Sequence, residues 1–338
     1  MLQSSRTALS PANRLGLDYR AEAGRLPYAG PIVDVHVHLQ NVACAELFFE
    51  VAALYGVGKV WSMTQLEQVD AMRERFGERI EFIAVPNYAD RENDPAVFTT
   101  DWLRRIDAFA EKGVRVCKFW AAPRGRDWDA EAMRLDSPAR FEQMRLARSL
   151  GMTFMAHVAD PDTWFATHYA DAGKYGRKDE HYDAFRRALD AFGDVTWLAA
   201  HMAGTPEDLE RLQGLLDDYP RLYIDTSATK WMVRELSRHE PGALADFLRR
   251  NAGRVLFGSD IVATEANMDF DLYASRYWSL RTLLETRYDG PSPIVDPDLP
   301  LLDPSLPETA TAELRGVGLD DATLATLYHD AAARVLDF

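Results

Sequence analysis

The chain has 338 residues, 47% hydrophobic and 27% charged, an ordinary globular composition that implies no disordered tract. A chain of this length buries about 75% of its extended surface on folding, enough for one large α/β barrel or for two smaller domains. Its 38 basic residues against 53 acidic ones leave a formal charge of -15, which opposes nucleic acid and anionic membranes as partners and points to a small-molecule substrate.

Residues 1 to 30 are polar and irregular and read as an N-terminal arm. The opening "MLQSSRTALSPANRLGLDYR" lacks an apolar core of signal-peptide type, and no run of 18 apolar residues occurs anywhere. A soluble, cytoplasmic protein is therefore expected, with Cys44 and Cys117 as free buried thiols in a reducing compartment. From Pro31 the pattern becomes periodic and runs to 338 as one barrel domain. Apolar, β-branched runs predict strands at "PIVDVHVH" (31 to 38), "GKVWSM" (58 to 63), "RIEFIAVPN" (79 to 87) and "VRVCKFW" (114 to 120). Four more follow at "MTFMAHV" (152 to 158), "VTWLAAH" (195 to 201), "RLYIDTS" (221 to 227) and "RVLFGSD" (254 to 260). Several are apolar on both faces, as strands covered by helices should be.

Helical patterns fill the gaps at 44 to 56, 64 to 77, 100 to 113, 137 to 151, 181 to 193, 205 to 220 and 241 to 253, several of them ending at glycine. Thr205 is the expected cap of the sixth, with Pro206 in its first turn. Eight strand-helix alternations are the signature of a closed, slightly elaborated TIM (β/α)8 barrel; a doubly wound open sheet is the alternative, disfavoured because no glycine-rich phosphate loop follows the first strand. Three connections exceed what helix packing needs: 121 to 136 after strand four, 159 to 180 after strand five, and 261 to 308 after strand eight. All three leave the strand ends where barrel enzymes build their sites. The last contains an expected helix, 271 to 288, followed by "PSPIVDPDLPLLDPSLP", whose prolines predict an extended excursion rather than a helix. The closing helix is expected at 320 to 337.

His36 and His38 stand two apart on the first strand, so both side chains project from the same face. Two imidazoles so placed can reach one metal ion, although a pair of satisfied, partly buried histidines fits the spacing equally well. Strand five closes at His157, strand six at His201 and strand eight at Asp260. A barrel brings those termini together around one axis, which favours the metal reading. His168, His181, His239 and His329 fall in loops or helices and are expected to make ordinary local hydrogen bonds, with His168 the exception to watch because its insertion can cover the pocket.

The motifs "DVHVH", "MAHV", "LAAHMAGTPEDL" and "LFGSD", in this order at barrel spacing, with the terminal "LYHDAAARVL", resemble the metal-dependent amidohydrolase superfamily. The likeness is greatest to its amidohydrolase-related branch of hydrolases and decarboxylases, over about 31 to 336. The resemblance implies that His36, His38, His157 and Asp260 surround one divalent metal, usually zinc, and that His201 lies near it. It further implies a hydrolase that uses a metal-activated water on an ester, lactone or amide, with Asp260 taking the proton and His201 assisting the oxyanion or leaving group. The alternative is non-oxidative decarboxylation of an aromatic or unsaturated carboxylic acid.

Lys118 lies inside an apolar strand, where an unpaired ammonium is costly. Three readings stay open: a carbamylated bridge between two metals, a pocket lysine facing substrate or Asp260, and a structural ion pair. Lys118, Arg124, Trp164, His168 and Lys230 are thus candidates for contacting substrate or supporting the site, and the cations suit an acidic ligand through local focusing. Trp164, Phe165, His168 and Tyr169, together with Trp278, are expected to form a lid or a subunit contact, which leaves a homodimer or higher homo-oligomer open.

Overall fold

The computed structural model describes residues 9–89 and 95–338. The first eight residues of the expected arm lie outside the described part. Eight parallel connections run through β1 (Ile32–Leu39), β2 (Val57–Ser62), β3 (Ile80–Ala84), β4 (Val116–Trp120), β5 (Thr153–His157), β6 (Trp197–Ala199), β7 (Leu222–Asp225), β8 (Val255–Leu256) and β9 (Ile261–Ala263). Each strand pairs with its sequence neighbour from β1 to β8, and β9 returns to pair with β1. The eighth barrel strand is therefore split. Its first half follows β7, with Asp225 opposite Leu256, and its second follows β1, with Val37 opposite Ile261. The gap between the halves is carried by single bonds, Val35 N to Phe257 O at 2.9 Å and Asp260 N to His36 O at 2.8 Å. The sheet closes into a distorted (β/α)8 barrel, as the alternation predicts.

The barrel is a packed core and not a pore. Val35, Val37, Phe119, Phe154, Trp197 and Phe257 are fully or almost fully buried, and helices cover the outside with residues such as Phe48, Trp102, Phe109 and Leu248. Helical spans agree with the expected ones to within a few residues, with two differences. The helix expected from 205 begins at Leu209, and its cap is Asp208, whose carboxylate accepts from Arg211 N at 2.9 Å. Thr205 cannot serve because it closes a left-handed turn and is still outside the helix. The expected strand 195 to 201 likewise stops at Ala199, because His201, Met202 and Ala203 take φ values of 59°, 47° and 55°. Gly204 follows at φ 74°, where an added Cβ would lie 2.0 Å from Ala159 O; only glycine lets this turn approach the end of β5.

The third insertion departs from a simple extended excursion. Its helix, Phe270–Glu285, is followed by β10 (Asp289–Val295), paired antiparallel with β11 (Thr311–Arg315). Between them Leu299–Leu302 forms one helical turn, which Pro300 tolerates because a proline in the first turn removes an N–H that needs no partner. The arm docks on this insertion: Arg14 N donates to Pro293 O and Val295 N to Pro11 O, both at 2.8 Å. Trp278 is covered as a result. Expected in a lid or subunit contact, it is buried within the chain beside Tyr288, with its ring nitrogen 3.4 Å from Glu22. Among the described residues no helix is long and apolar enough to cross a membrane.

Candidate metal centre

The strand ends converge at the mouth of the barrel. His36, His201 and Asp260 each present a donor atom within 4.8 Å of the others. His36 Nε2 lies 3.5 Å from Asp260 Oδ1, and His38 Nε2 lies 3.1 Å from the same oxygen. The i, i+2 placement on β1 thus puts both imidazoles against one carboxylate, although His36 is buried while His38 remains about one-third exposed. His157 meets the cluster differently. Its ring packs edge-on against His201 with centroids 4.6 Å apart, but its Nε2 is hydrogen-bonded to Asp160 at 3.0 Å.

Two residues beneath the cluster fix its rings. Asp225 Oδ2 lies 2.9 Å from His36 Nδ1, and Ser227 Oγ lies 3.0 Å from that nitrogen and 2.7 Å from His201 Nδ1. Asp225 Oδ1 also accepts from His201 N at 2.8 Å and from the Ser227 hydroxyl. With Nδ1 engaged on both rings, Nε2 is the free donor atom on each. Burial pushes the His36 and His201 imidazoles below their ordinary range; His157 adds to it at His201 and Lys118 at both, so both rings are neutral. Burial alone would raise Asp260, but its contact with His38 and the facing rings of His36 and His201 hold it well below the usual carboxylate range. Neutral imidazoles and an ionised carboxylate, separated as donors sharing one ion would be, make a chemically fitting set for a divalent metal.

Backbone strain collects at the same place. Asp260 has φ 56° and His201 φ 59°, left-handed values that non-glycine residues rarely adopt. Asp34, fully buried on β1, holds the Asp260 turn: it accepts from Ser259 N at 3.1 Å, Ser259 Oγ at 2.5 Å and Tyr277 OH at 3.0 Å. Burial pushes its carboxyl up to about 7 despite those bonds.

Lys118 on β4 is 3% exposed, and its Nζ has no hydrogen-bond partner among the described residues. Burial brings it down to about 8, against the attraction of Asp225 and Asp260. An ion pair with a carboxylate within 4 Å is absent among the described residues, which removes the simplest structural reading of this lysine.

Asp260 opens into a cavity of about 300 Å³ that is also lined by Trp164, Lys230, Trp231 and Arg276. A second cavity of about 350 Å³ adjoins it across Trp164, Lys230 and Trp231 and is lined by Arg124, His168 and Tyr169. Four of the sequence candidates, Arg124, Trp164, His168 and Lys230, therefore share one cavity wall. Trp164 is held by its Nε1, which donates to Asp298 Oδ2 at 2.7 Å, while His168 Nε2 meets Asp298 Oδ1 at 2.9 Å. Arg234 donates to the same Oδ2 at 3.2 Å and also binds Asp296 at 2.6 Å, Glu235 at 2.9 Å and Thr163 at 2.8 Å. This network ties the insertion after β5 to the one after β9. His181, His239 and His329 make local bonds to Tyr175 O, Pro206 O and Asp330, as expected of them.

A closed (β/α)8 barrel with a His/His/Asp cluster at the C-terminal mouth is the architecture of a metal-using enzyme. The chain belongs to the Amidohydrolase family, whose model matches residues 63–338. The matched part contains His201 and Asp260 and begins after β1, which carries His36 and His38. Among solved structures, it is similar to 5-carboxyvanillate decarboxylase from Novosphingobium aromaticivorans, complexed with manganese and 4-hydroxy-3-methoxy-5-nitrobenzoic acid. That likeness has 10% identity and TM-score 0.49 and covers 93% of this chain and 97% of that one. IDCase from Metarhizium anisopliae is similar at 11% identity and TM-score 0.48, covering 91% and 97%. Amidohydrolase 2 from Bifidobacterium longum subsp. infantis is similar at 13% identity and TM-score 0.37, covering 92% and 100%. No curated protein matches the chain.

Sequence reasoning found the strand-end donors but not their supports. Asp225 also terminates an apolar strand, so the rule that singled out His157, His201 and Asp260 would have found it. Arg276 carried no such signal, because it sits in a helix whose facing is decided by the path of the insertion.

Proposed function

We propose that the protein is a metal-dependent decarboxylase of a small, unsaturated or aromatic carboxylic acid. The observation that carries this reading is the cavity over Asp260: it pairs the donor cluster with two cations, Lys230 and Arg276, that have no carboxylate partner among the described residues. Such a pocket suits a carboxylate held directly at the reacting centre.

His36, His38, His201 and Asp260 are the residues that would hold the ion, with His157 at the edge of the set; zinc is the proposed ion, since nitrogen and carboxylate donors suit it. When bound, the ion supplies Lewis acidity and a fixed positive charge beside the substrate. Lys230 and Arg276 orient the departing carboxylate, and Trp164 and Trp231 keep water from the face of the substrate. The bond between carbon and carboxylate breaks, its electron pair stays on carbon, and carbon dioxide leaves. The carbon takes its proton from a water molecule oriented by Asp260 Oδ, which is ionised and faces the cavity, and the hydroxide left behind takes a proton from solvent. Lys118 Nζ, which carries a proton at neutral pH and is attracted by Asp260, keeps its charge and offsets the negative charge that develops at the site.

Hydrolysis of an ester, lactone or amide is the second reading. It is supported by the Asp260 carboxylate, which is ionised and faces the cavity, where it can accept a hydrogen bond from an attacking water. The two are separated by assaying zinc-loaded protein on aromatic and unsaturated carboxylic acids for carbon dioxide release, beside lactones, esters and amides. Carbon dioxide release that is lost on chelation and in His36→Ala supports decarboxylation; turnover confined to the lactones, esters or amides rejects it.

A further inference from the structure

Several buried arginines are paired with acids: Arg105 is bound to Glu67, Arg234 to Asp296 and Arg281 to Glu285. Lys118 and Arg140 lack a carboxylate partner among the described residues but are sealed in the barrel wall, whereas three other unpaired cations line cavities. Arg124 leaves the end of β4, Lys230 lies on the helix Thr229–Leu236 after β7, and Arg276 lies on the helix Phe270–Glu285 after β9. None has a carboxylate within 4 Å among the described residues. A lone unpaired cation on a surface is ordinary, but these three come from separate excursions and line two adjoining cavities, with Lys230 in the wall between them. Arg276 is the most confined: its one side-chain bond is to Ser275, and burial brings it down to about 10. The acids that share the outer cavity are already engaged. Asp127 is bound by Lys174 and by Tyr175 OH at 3.0 Å, and Asp298 is held by Arg234, Trp164 and His168.

We propose that the outer cavity is a second anion subsite, so that the substrate is a small diacid: one carboxylate sits over Asp260 between Arg276 and Lys230, and the other reaches Arg124 past Trp164. This rests on the reading of the inner cavity as a carboxylate pocket. Trp164 and Trp231, common to both cavities, form the apolar waist that a flat frame between the two acid groups would contact. The Asp298 bond to the Trp164 ring nitrogen sets the width of that waist, which makes Asp298 a positioning residue for the outer group. The net charge of -15 repels diacids from the chain as a whole, and the three cations focus them onto the mouth.

The test is calorimetric binding to the zinc-loaded protein of benzoate against phthalate, isophthalate and terephthalate, and of butyrate against glutarate, each pair also at raised salt. At least one diacid is expected to bind about tenfold or more tightly than its monoacid, a preference that shrinks with salt, since a charge-assisted contact at a second group is worth that much. Arg124→Gln should bring that diacid down to the monoacid and leave the monoacid within about twofold, while Arg124→Lys keeps part of the preference. Arg124 is exposed, so the variant's fold is checked by an unchanged thermal melt. The proposal is overturned if no diacid exceeds its monoacid by more than about twofold, if nothing in the panel binds, or if Arg124→Gln leaves the preference intact. Diacid preference without carbon dioxide release would reject the decarboxylase reading and leave this subsite standing; carbon dioxide release from monoacids with no diacid preference would do the reverse.

Discussion

Asp225 reaches His36 from below, Oδ2 to Nδ1 at 2.9 Å, and with its other oxygen takes the backbone N–H of His201. One carboxylate thereby sets the tautomer of the first imidazole and the position of the second. Removing its charge in Asp225→Asn should weaken metal affinity by about 10–100-fold, as loss of a partner behind a metal-bound histidine usually does. Competition against a chelator of known affinity measures this. An affinity within twofold of the parent would mean that the buried carboxylate serves the fold alone.

Lys118 carries an ammonium into the barrel with nothing bonded to it, and its folded-state value near 8 lies below its ordinary 10.5. The unfolded chain therefore keeps this proton up to about pH 10.5 while the folded one releases it near 8. Between those values the unfolded state binds more protons, so stability of the metal-free protein rises with pH and is lost again as pH falls; below 8 the penalty is fully present, on the order of 3 kcal/mol. Lys118→Met should make the metal-free protein about 1–3 kcal/mol more stable at pH 7. It should also flatten the part of the pH 8 to 10.5 rise that the parent shows, and abolish turnover. Urea denaturation at pH 7 and pH 10 gives both numbers; a variant less stable than the parent at pH 7 would place an unseen partner on the lysine.

Arg234 is the cation shared by Glu235, Asp296 and Asp298, all buried or nearly so, while Arg238 also reaches Glu235 at 2.9 Å. Arg234→Met leaves Asp296 without an ion-pair partner among the described residues and should cost about 3–5 kcal/mol, because an uncompensated buried charge is dearer than the pair is favourable. Denaturant midpoints measure the loss. A change under 1 kcal/mol would mean that water reaches the network.

How far the sequence could be read follows from how local each signal is. The alternation of strands and helices repeats over short windows, and His36, His201 and Asp260 stand where apolar runs stop, so both barrel and donor cluster were legible. The expected binding of His157 rested on the same rule, but Asp160, three residues on, competes for its Nε2. Features set by long-range docking were not legible. Trp278 looked available for a lid or a second subunit until the arm folded over it, and Arg276 gained its place only from the course of the third insertion. The proline-rich stretch after that helix turned into a strand because β11, some twenty residues later, supplies the partner.

The split final strand joins two events. The chain cannot seal the cylinder without passing through the four residues between Leu256 and Ile261, and that passage contains Asp260, bonded through its amide to the His36 carbonyl. Sealing the seam and completing the donor set are consequently one step in the maturation of the molecule. A partly folded chain whose last strand has not yet docked keeps β1 and its histidines but has no carboxylate to offer beside them, so ion capture reports on the finished cylinder, and a captured ion acts as a rivet across its seam.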